Sequence, residues 1–457
     1  MEFANIKSVY FVGIGGIGMS ALARFFRAEE KQVGGYDRTS TPLTEELERE
    51  GMLVRYQDSV AAIPEHFRDP STTLVVFTPA IPKEHEELNW FRNNGFSVMK
   101  RSQVLGLITK HSFTIAVAGT HGKTTTSSMV AHLLRSAGIP CTAFLGGIAK
   151  NYHNNLLIGE PYNGLHYVVV EADEYDRSFL TLYPDIAIVT SMDPDHLDIY
   201  GNAEEMVKTY RQFAAQVKTG GWVIHRKGLP LPSDGRVVPY AIREASLISG
   251  KDIRIDSHRY TFTYSGLGAE WKNLWTRLPG YHNVENAVAA TTVARILDLP
   301  EEKVRKGLES YTGVLRRFDY QVDTDRHVYI DDYAHHPEEL KACILSAREL
   351  YPGKKITGIF QPHLYSRTRD FVDGFAESLS LLDELLLLEI YPARELPIEG
   401  VNAKMILDRM TIPARRIVSK QEALDLVKKE QPEVLLTLGA GDIDQLVAPL
   451  RDMLNKL

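Results

Sequence analysis

The residues with the clearest chemical potential form a short turn between an apolar stretch and a run of hydroxyl side chains. From Ile115 to Thr126 the sequence reads Ile-Ala-Val-Ala-Gly-Thr-His-Gly-Lys-Thr-Thr-Thr, which predicts a strand, a glycine turn and the start of a helix. Glycine lets consecutive backbone N–H groups point at phosphate oxygens, and the helix N-terminus adds positive potential. Since Lys123 can reach the outer phosphates and Thr124 can hold Mg²⁺, the turn predicts a nucleoside triphosphate site.

This turn is a shortened variant of the usual phosphate-binding pattern. The pattern places a glycine five residues before the one that precedes the lysine, and Val117 stands there instead. An ordinary strand-to-helix turn is therefore the alternative interpretation, although the preceding apolar strand favours a phosphate cradle.

A second glycine turn lies near the N-terminus. Gly13, Gly15 and Gly18 form a Gly-x-Gly-x-x-Gly pattern after an apolar strand, and Asp37 follows the next strand. Such a turn allows the backbone to approach a diphosphate closely, while the acidic residue either accepts from a ribose or caps its strand. Both NAD and a nucleotide sugar such as a UDP sugar satisfy this pattern.

Acidic residues follow two predicted strands of the central part of the chain. Glu171 to Glu174 follow the strand Tyr167 to Val170, and Asp193 to Asp198, with His196 among them, follow the strand Ile186 to Thr190. Carboxylates at this edge of a parallel sheet suit Mg²⁺. We expect His196 to be a metal ligand or a hydrogen-bond partner of the metal shell, whereas a solvated acidic loop is an equal alternative for Asp195 and Asp198.

Further polar groups precede or follow predicted elements in the last third of the chain. In the stretch from residue 279 to 286, His282 and Asn283 are natural helix caps. Guanidinium groups suited to phosphate or carboxylate oxygens occur at Arg316, Arg317, Arg367 and Arg369, and a surface basic loop is the alternative for the last two. The strand Val328 to Ile330 ends in Asp-Asp-Tyr-Ala-His-His-Pro, a group of acids and histidines that packing does not explain.

Composition excludes several classes of protein. Apolar residues make up 44% of the 457 residues and charged residues 24%, which is typical of a globular protein. With 59 acidic against 52 basic residues and no long basic run, a nucleic-acid or anionic-membrane surface has no support. Two distant cysteines, no signal-like segment and no long apolar run favour a cytoplasmic protein without membrane insertion.

The order of predicted elements indicates three α/β domains. Short β-branched strands alternate with helices in three series that begin near Val9, Phe113 and Val328. A chain of this length is also too long for one core. We place the domains at residues 1–105, 106–313 and 314–457.

Taken together, these motifs resemble the Mur ligase family. Gly-Thr-His-Gly-Lys-Thr-Thr-Thr, Glu-Ala-Asp-Glu, Asp-Pro-Asp-His-Leu-Asp, His-Asn-Val-Glu-Asn, Arg-Arg-Phe-Asp and Asp-Asp-Tyr-Ala-His-His-Pro occur in that family's order across the whole chain. The resemblance implies an N-terminal Rossmann-like domain for a UDP sugar, a central P-loop ATPase domain, and a C-terminal Rossmann-like domain that presents an amino acid. The N-terminal glycine turn and Phe-Gln-Pro-His are similar to the members that join L-alanine to UDP-N-acetylmuramate, so these substrates and a monomer or weak homodimer are expected.

The resemblance also implies a role for individual residues. ATP-binding residues would be Gly119, Thr120, His121, Gly122, Lys123, Thr124, Thr125, Asn283, Asn286, Arg317 and Asp332. The metal would be held by Thr124, Glu171 and His196, and the UDP sugar by Gly13, Gly15, Gly16, Gly18, Asp37, Thr78 and His121. Tyr333, His335 and Arg367 would surround the amino acid, and the catalytic residues would be Lys123, His196, Arg317 and His335.

The implied reaction activates a carboxylate with ATP, forming an acyl phosphate and ADP, after which the amine of alanine displaces phosphate. His335 is our candidate for the base that deprotonates the amine. In one departure from the alanine-adding members, Leu364 follows Phe-Gln-Pro-His where arginine is common, which puts a second contact to the alanine carboxylate in doubt. In another, Arg211 stands where several sister ligases carry a carbamoylated lysine, so that modification is not predicted.

Three other functions compete with this one. The first is a recycling ligase of the same family, which joins UDP-N-acetylmuramate to a tripeptide. The second is a dehydrogenase, suggested by the first glycine turn alone. The third is a non-catalytic nucleotide-gated binding module, which the polar residues at so many predicted strand ends argue against.

Overall fold

In a computed structural model of the chain, three β-sheets are each accompanied by helices. The structure describes residues 5–194, 200–232, 236–256, 259–393 and 395–456. Within those ranges, every helix is too short or too polar to cross a lipid bilayer. The expected α/β class with three sheet-containing parts is confirmed.

The first sheet has five parallel strands in the order β3-β2-β1-β4-β5. Alternate residues of the central strand β1 pack into two apolar clusters, with Val9 and Phe11 in one and Tyr10 and Val12 in the other. A strand covered on both faces is apolar throughout, which explains its sequence. The strands are β1 (Ser8–Val12), β2 (Gln32–Tyr36), β3 (Leu53–Arg55), β4 (Thr73–Phe77) and β5 (Ser97–Lys100).

The second sheet has ten strands in the order β15-β14-β13-β12-β11-β10-β6-β9-β7-β8. The pairs from β7 to β13 are parallel, and β7 pairs with β8 in antiparallel fashion. Val117 is in register with Glu171, and Ala118 with Val189, so the segments that follow these strands leave the same edge of the sheet. The strands are β6 (Phe113–Ala118), β7 (Cys141–Ala149), β8 (Asn154–Leu157), β9 (Tyr167–Glu171), β10 (Ile186–Val189), β11 (Trp222–Arg226), β12 (Val237–Ile242), β13 (Ile248–Asp256), β14 (Arg259–Gly266) and β15 (Ala269–Thr276).

The third sheet has six strands in the order β16-β17-β21-β18-β19-β20. All pairs are parallel except β16 with β17. Leu438 is in register with both Asp332 and Phe360, which brings the segments after three strands to one edge. The strands are β16 (Asp319–Asp323), β17 (Val328–Asp332), β18 (Ile356–Phe360), β19 (Glu384–Leu387), β20 (Arg415–Ile417) and β21 (Val434–Leu438).

The α-helices connect and flank these strands. They are numbered in the order in which they occur along the chain. They are α1 (Ile17–Ala28), α2 (Pro42–Arg49), α3 (Glu86–Asn93), α4 (Arg101–Lys110), α5 (Lys123–Ala137), α6 (Ala203–Ala215), α7 (Tyr281–Ile296), α8 (Glu301–Ser310), α9 (Pro337–Leu350), α10 (Tyr365–Asp370), α11 (Val372–Leu379), α12 (Lys404–Leu407), α13 (Lys420–Glu430) and α14 (Val447–Leu454).

The chain divides into two compact units. Unit 1 comprises Met1–Asp252, Thr263–Leu274 and Glu285–Tyr311, and unit 2 comprises Ile253–Phe262, Trp275–Val284 and Thr312–Leu457. One apolar cluster of unit 1 contains Phe11 of the first sheet and Val170 of the second. The boundary predicted between residues 105 and 106 falls within helix α4.

The first two sheets are also joined by polar contacts inside unit 1. The side chain of Arg24, on α1, donates to Glu50 and to the amide oxygen of Asn155 on β8, the latter at 2.7 Å. Asn155 in turn donates to the backbone oxygen of Ile17 at 2.6 Å. Because Asn155 is fully buried, these bonds satisfy polar groups that burial would otherwise leave unpaired.

Candidate functional site

The predicted phosphate loop lies between β6 and α5, as expected. Gly119 has φ +138° and Gly122, the residue before α5, has φ +81°. L side chains rarely adopt such angles, and a Cβ atom on Gly119 would also overlap Thr190. Both glycines are therefore required by the shape of the loop.

The loop is fastened to the segment that follows β10. The hydroxyl of Ser191 accepts a hydrogen bond from the backbone N–H of His121 at 2.8 Å and lies 2.9 Å from the hydroxyl of Thr120. The hydroxyl of Thr190 lies within hydrogen-bond distance of the backbone oxygens of Ala118 and His121 and can donate to either. The loop is thus held in place by hydroxyl groups that the sequence reasoning did not single out.

Lys123, the first residue of α5, folds back over this loop. Its ammonium group donates to the backbone oxygen of Gly119 at 2.6 Å and lies 2.8 and 2.9 Å from the two carboxylate oxygens of Glu174. Burial acts to lower the pKa of Lys123, but the nearby carboxylates, Glu174 first among them, raise it above its usual value. Burial raises the pKa of Glu174 to about 7, against the opposing effect of the Lys123 charge.

Glu171 ends β9 next to the loop, as its predicted role requires. Its carboxylate accepts a hydrogen bond from the backbone N–H of Gly146 at 3.0 Å, and a Cβ atom on Gly146 would overlap this carboxylate. Thr124 is buried in the first turn of α5.

The third predicted metal ligand, His196, lies outside the described residues, with Asp195 and Asp198. Within the described ranges, no group of three or more histidine, cysteine or acidic side chains is arranged to hold a metal ion.

Helix α7 brings Asn286 to the loop. The amide oxygen of Asn286 is 2.9 Å from the position that a Cβ atom of Gly122 would occupy.

The start of helix α7 differs from the prediction. The helix begins at Tyr281, so His282 and Asn283 lie inside it, and the prediction that they cap it is wrong. Gly280, with φ +92°, accepts the first backbone hydrogen bonds of the helix instead. Burial, with the nearby charge of Arg317, lowers the pKa of His282 to about 4.

The N-terminal glycine turn follows β1 and opens α1. Gly13 has φ +92°, and a Cβ atom there would lie 2.8 Å from the methyl group of Thr78. The carboxylate of Asp37 accepts from the backbone N–H groups of Gly15 at 2.7 Å and Thr39 at 3.2 Å. Asp37 therefore fastens the turn to the end of β2, as in the capping interpretation of this residue.

Arg101 connects this turn to the acidic segment after β9. Its guanidinium lies 2.5 Å from the position of a Cβ atom on Gly18, and it donates to the carboxylate of Asp173 at 3.3 Å. Gly16 precedes the helix without a side-chain cap. Arg101 was not predicted, since nothing in its local sequence indicates this contact.

In unit 2, the end of β17 and the segment before β16 form a charged cluster. The carboxylate of Asp332 accepts from the backbone N–H groups of Phe318 at 2.7 Å and Ala334 at 2.8 Å. Burial raises the pKa of Asp332 to about 6, opposed by the charge of Arg317. The guanidinium of Arg317 lies 5.3 Å from the ring centre of Tyr333, within the range of a cation–π contact. Arg317 and Asp332 are thus neighbours, as their predicted common role requires.

The predicted amino-acid residues occupy the same edge of the third sheet. His335 Nδ1 lies 3.2 Å from the carboxylate of Glu339, and its ring centre is 6.2 Å from that of His363. His363 stacks on Tyr391 at 5.8 Å. Arg367 is buried on the short helix α10, which follows directly after Leu364.

Leu364 has a left-handed backbone, with φ +72°. Its N–H donates to the backbone oxygen of Tyr391 at 3.0 Å. Leucine rarely adopts this conformation, and such strain is concentrated at ligand sites. Glu339, His363 and Tyr391 were not predicted; the histidine of Phe-Gln-Pro-His was the one available signal.

Curated relatives match this chain over its whole length. The UDP-N-acetylmuramate–L-alanine ligase of Parabacteroides distasonis is 50% identical over 460 residues, covering 100% of this chain and 99% of the relative. The protein of the same name from Cytophaga hutchinsonii is 48% identical, covering 99% and 97%.

Solved structures of related ligases share the fold of this chain. The UDP-N-acetylmuramate-alanine ligase MurC from Thermotoga maritima superposes with a TM-score of 0.80 at 28% identity, covering 98% of each chain. The murein peptide ligase from Psychrobacter arcticus gives 0.69 at 22% identity over 99% of each chain, a similarity of fold alone.

Three family models together match nearly the entire chain. They are described as the catalytic domain of the Mur ligase family at residues 8–113, the Mur ligase middle domain at 117–294, and the Mur ligase glutamate ligase domain at 316–441. The chain therefore belongs to the Mur ligase family.

Proposed function

We propose that the chain joins L-alanine to the lactyl carboxylate of UDP-N-acetylmuramate and consumes ATP, as a step in peptidoglycan precursor synthesis. Relatives named for this activity are 46 to 50% identical across almost their full length. The structural observation that carries the proposal is the loop from Gly119 to Lys123, with Asn286 set against it and Glu171 beside it. ATP is the cofactor of this family, and this loop is where we place its phosphates.

The reaction needs ATP because a carboxylate is a poor electrophile. The lactyl carboxylate attacks the γ-phosphorus, which gives an acyl phosphate and ADP, and the alanine amine then displaces phosphate through a tetrahedral intermediate. Lys123 and Arg317 spread the charge that develops on the transferred phosphoryl group, and alignment of the reactants supplies much of the acceleration.

Mg²⁺ fits the oxygen donors next to the loop. We assign it to Thr124, Glu171 and His196; the first two offer a hydroxyl at the start of α5 and a carboxylate at the end of β9, which suit a hard cation. When bound, the ion would neutralise phosphate charge. Removal of Mg²⁺ with a chelator is expected to abolish ligation and addition of Mg²⁺ to restore it, whereas activity without any divalent ion would contradict this assignment.

The two other substrates are assigned to the remaining polar clusters. The sugar nucleotide is placed on the turn from Gly13 to Gly18, with Asp37, Thr78 and His121 at its borders. L-alanine is placed at Tyr333, His335 and Arg367, where the guanidinium pairs with the carboxylate of alanine and His335 removes a proton from its amine. Thr120, Thr125, Asn283 and Asp332 complete the nucleotide site in this proposal.

We also propose a cytoplasmic protein that is a monomer or weak homodimer, with domains at residues 1–105, 106–313 and 314–457. Cytoplasmic ATP is the natural supply for the reaction, and both cysteines, Cys141 and Cys343, are buried and form no disulfide, which is compatible with a reducing compartment.

The function is tested by phosphate release with ATP, Mg²⁺ and UDP-N-acetylmuramate, adding L-alanine, glycine, L-serine or the tripeptide in turn. We expect release with L-alanine. Release with the tripeptide alone would favour the recycling ligase, and failure of every amine to release phosphate would favour a binding module. Binding of NAD, measured by calorimetry, would revive the dehydrogenase interpretation.

A further inference from the structure

The ammonium group of Lys123 is bound by acceptors of the protein itself. An ammonium has three N–H donors, and Lys123 has three acceptors: the backbone oxygens of Gly119 at 2.6 Å and Thr120 at 3.4 Å, and the carboxylate of Glu174. Of these acceptors, Glu174 carries a charge, and both of its oxygens lie within 3 Å of the ammonium nitrogen.

Glu174 is a buried residue whose main chain is held by hydrogen bonds. Its side chain is only 2% exposed, and its backbone oxygen accepts hydrogen bonds from the hydroxyl of Tyr200 at 2.6 Å and the N–H of Arg177 at 3.0 Å. The backbone oxygen of Asp173 accepts from the N–H of Phe179 at 2.9 Å. With the main chain fixed on both sides, movement of Lys123 rather than of Glu174 is the cheaper way to separate the two.

A triphosphate in the loop competes with this ion pair. Phosphate oxygens need the same N–H donors of Lys123, and they bring negative charge close to a carboxylate that is only 2% exposed, where charges are screened weakly. Burial raises the pKa of Glu174 to about 7, because a carboxylate charge is poorly solvated there. The pair therefore imposes a cost on nucleotide binding that a neutral residue at position 174 would not.

We propose that Glu174 is a positioning residue that holds Lys123 over the loop before ATP binds, releases it to the phosphates when ATP binds, and binds it again as products leave. This inference rests on the proposed binding of ATP at the loop and deepens it. Holding the lysine keeps the loop ordered before the nucleotide arrives. Recapturing it weakens the grip on ADP and phosphate, and in many enzymes product release limits turnover.

The neighbouring Asp173 provides a matched control. It carries the same charge one residue away, but its carboxylate binds Arg101 at 3.3 Å and the N–H of Tyr175 at 3.0 Å. Asp173→Asn therefore removes one negative charge from the same segment and leaves the ion pair of Lys123 in place. Glu174→Gln keeps the size of the side chain and removes only the charge.

The experiment compares the affinity of the wild type, Glu174→Gln and Asp173→Asn for ATP and for AMP, by calorimetry with Mg²⁺ and no other substrate. When a binding-competent state is populated only in part, affinity falls by that fraction. We expect Glu174→Gln to bind ATP about tenfold more tightly and to show unchanged AMP affinity, because AMP lacks the outer phosphates. Asp173→Asn should change ATP affinity about twofold at most, because the side chain of Asp173 is 40% exposed and solvent screens its charge.

Steady-state kinetics distinguish a positioning role of Glu174 from a merely structural one. Glu174→Gln should lower both KM for ATP and kcat, since tighter nucleotide binding slows product release. Unchanged or weaker ATP binding by a variant that melts like the wild type would overturn the inference, as would an equal gain for Asp173→Asn. If Glu174→Gln does not fold, Glu174→Asp, which withdraws the carboxylate by one methylene, should show a smaller gain in ATP affinity, and its absence would overturn the inference.

The wild-type protein separates this inference from the proposed function. If the wild type ligates L-alanine but Glu174→Gln binds ATP with unaltered affinity, the role of Glu174 is refuted and the proposed function is not. If the wild type binds ATP but ligates no amine, the proposed function is refuted. The ATP affinities of the wild type and Glu174→Gln then still test the role of Glu174.

Discussion

Asn286 lies directly against Gly122: its amide oxygen is 2.9 Å from the place where a Cβ atom of Gly122 would stand. The contact joins helix α7 to the phosphate loop although the two residues are more than 160 positions apart in the sequence. A glycine is needed here for two reasons, its left-handed backbone and the closeness of this amide. That double requirement makes the loop a sensitive place for substitution.

Gly122→Ala should impair nucleotide binding. The left-handed conformation costs an alanine about 1 kcal/mol, and the new methyl group displaces Asn286. We expect ATP affinity to fall about tenfold or more, from the loss of one aligned contact. Gly138→Ala is the control, since Gly138 has φ +90° at the other end of the same helix and no neighbour within 4 Å of a Cβ atom. Equal loss of ATP affinity in both variants would contradict this account.

Lys123→Ala should abolish turnover while the chain remains folded. Removal of a charged contact to the transferred phosphoryl group typically lowers kcat by a factor of about 100 to 1,000. Lys218→Ala is the control: Lys218 pairs with Asp185 at 2.8 Å, just before β10 begins. Its loss should lower the melting temperature but spare kcat. Ligation by Lys123→Ala at near wild-type rate would refute the assigned role.

Arg367→Lys should weaken binding of L-alanine selectively. A buried guanidinium can bind a carboxylate through two parallel N–H groups, and lysine cannot reproduce that geometry. We expect KM for L-alanine to rise about tenfold with KM for ATP nearly unchanged. Arg369→Lys is the matched control, because Arg369 is 52% exposed and pairs with Asp370. Similar KM changes in both variants would show that Arg367 is not the alanine contact.

His132 makes the protein sensitive to mild acid. It is buried on α5 between the hydroxyls of Tyr152 at 2.8 Å and Ser310 at 2.9 Å, and burial lowers its pKa to about 4. Below pH 6.5 the unfolded chain binds a proton here that the folded chain does not, so stability falls as the pH falls toward 4. The loss between pH 7 and 5 should be about 2 kcal/mol for this group.

His132→Gln keeps a hydrogen-bonding side chain without a titrating group. Urea unfolding at pH 7 and pH 5 should therefore show a smaller loss of stability for His132→Gln than for the wild type. Some loss should remain, because His282 has its pKa lowered in the same direction. An identical loss in both proteins would mean that His132 does not control this acid sensitivity.

The sequence was most informative where an apolar strand ends in a chemically distinctive segment. The predicted strands at Tyr167 to Val170 and Ile186 to Thr190 each differ from the observed ones by one residue. Buried parallel strands are apolar throughout, and their ends are marked by glycine or charge. The same reasoning correctly placed the segment Gly119 to Lys123 between a strand and a helix, and Asp331 to Pro337 at the end of a strand.

Other features depend on contacts that no local pattern contains. The pairing of Lys123 with Glu174 joins residues 51 positions apart, and the contact of Arg101 with Asp173 joins helix α4 to the segment after β9. Helix α7 begins earlier than predicted because Gly280, rather than His282 or Asn283, accepts its first hydrogen bonds. Strand β14 was not predicted, although Tyr260, Phe262 and Tyr264 alternate with polar residues and are fully buried.

The most direct test of the account is the mass of the product that the wild type makes from UDP-N-acetylmuramate and ATP with Mg²⁺ when L-alanine and the tripeptide are offered together. The account predicts one new species, the sugar nucleotide carrying a single alanine, formed in equal amount to ADP and phosphate. A product carrying the tripeptide, or ADP formed without any new amide, would contradict it.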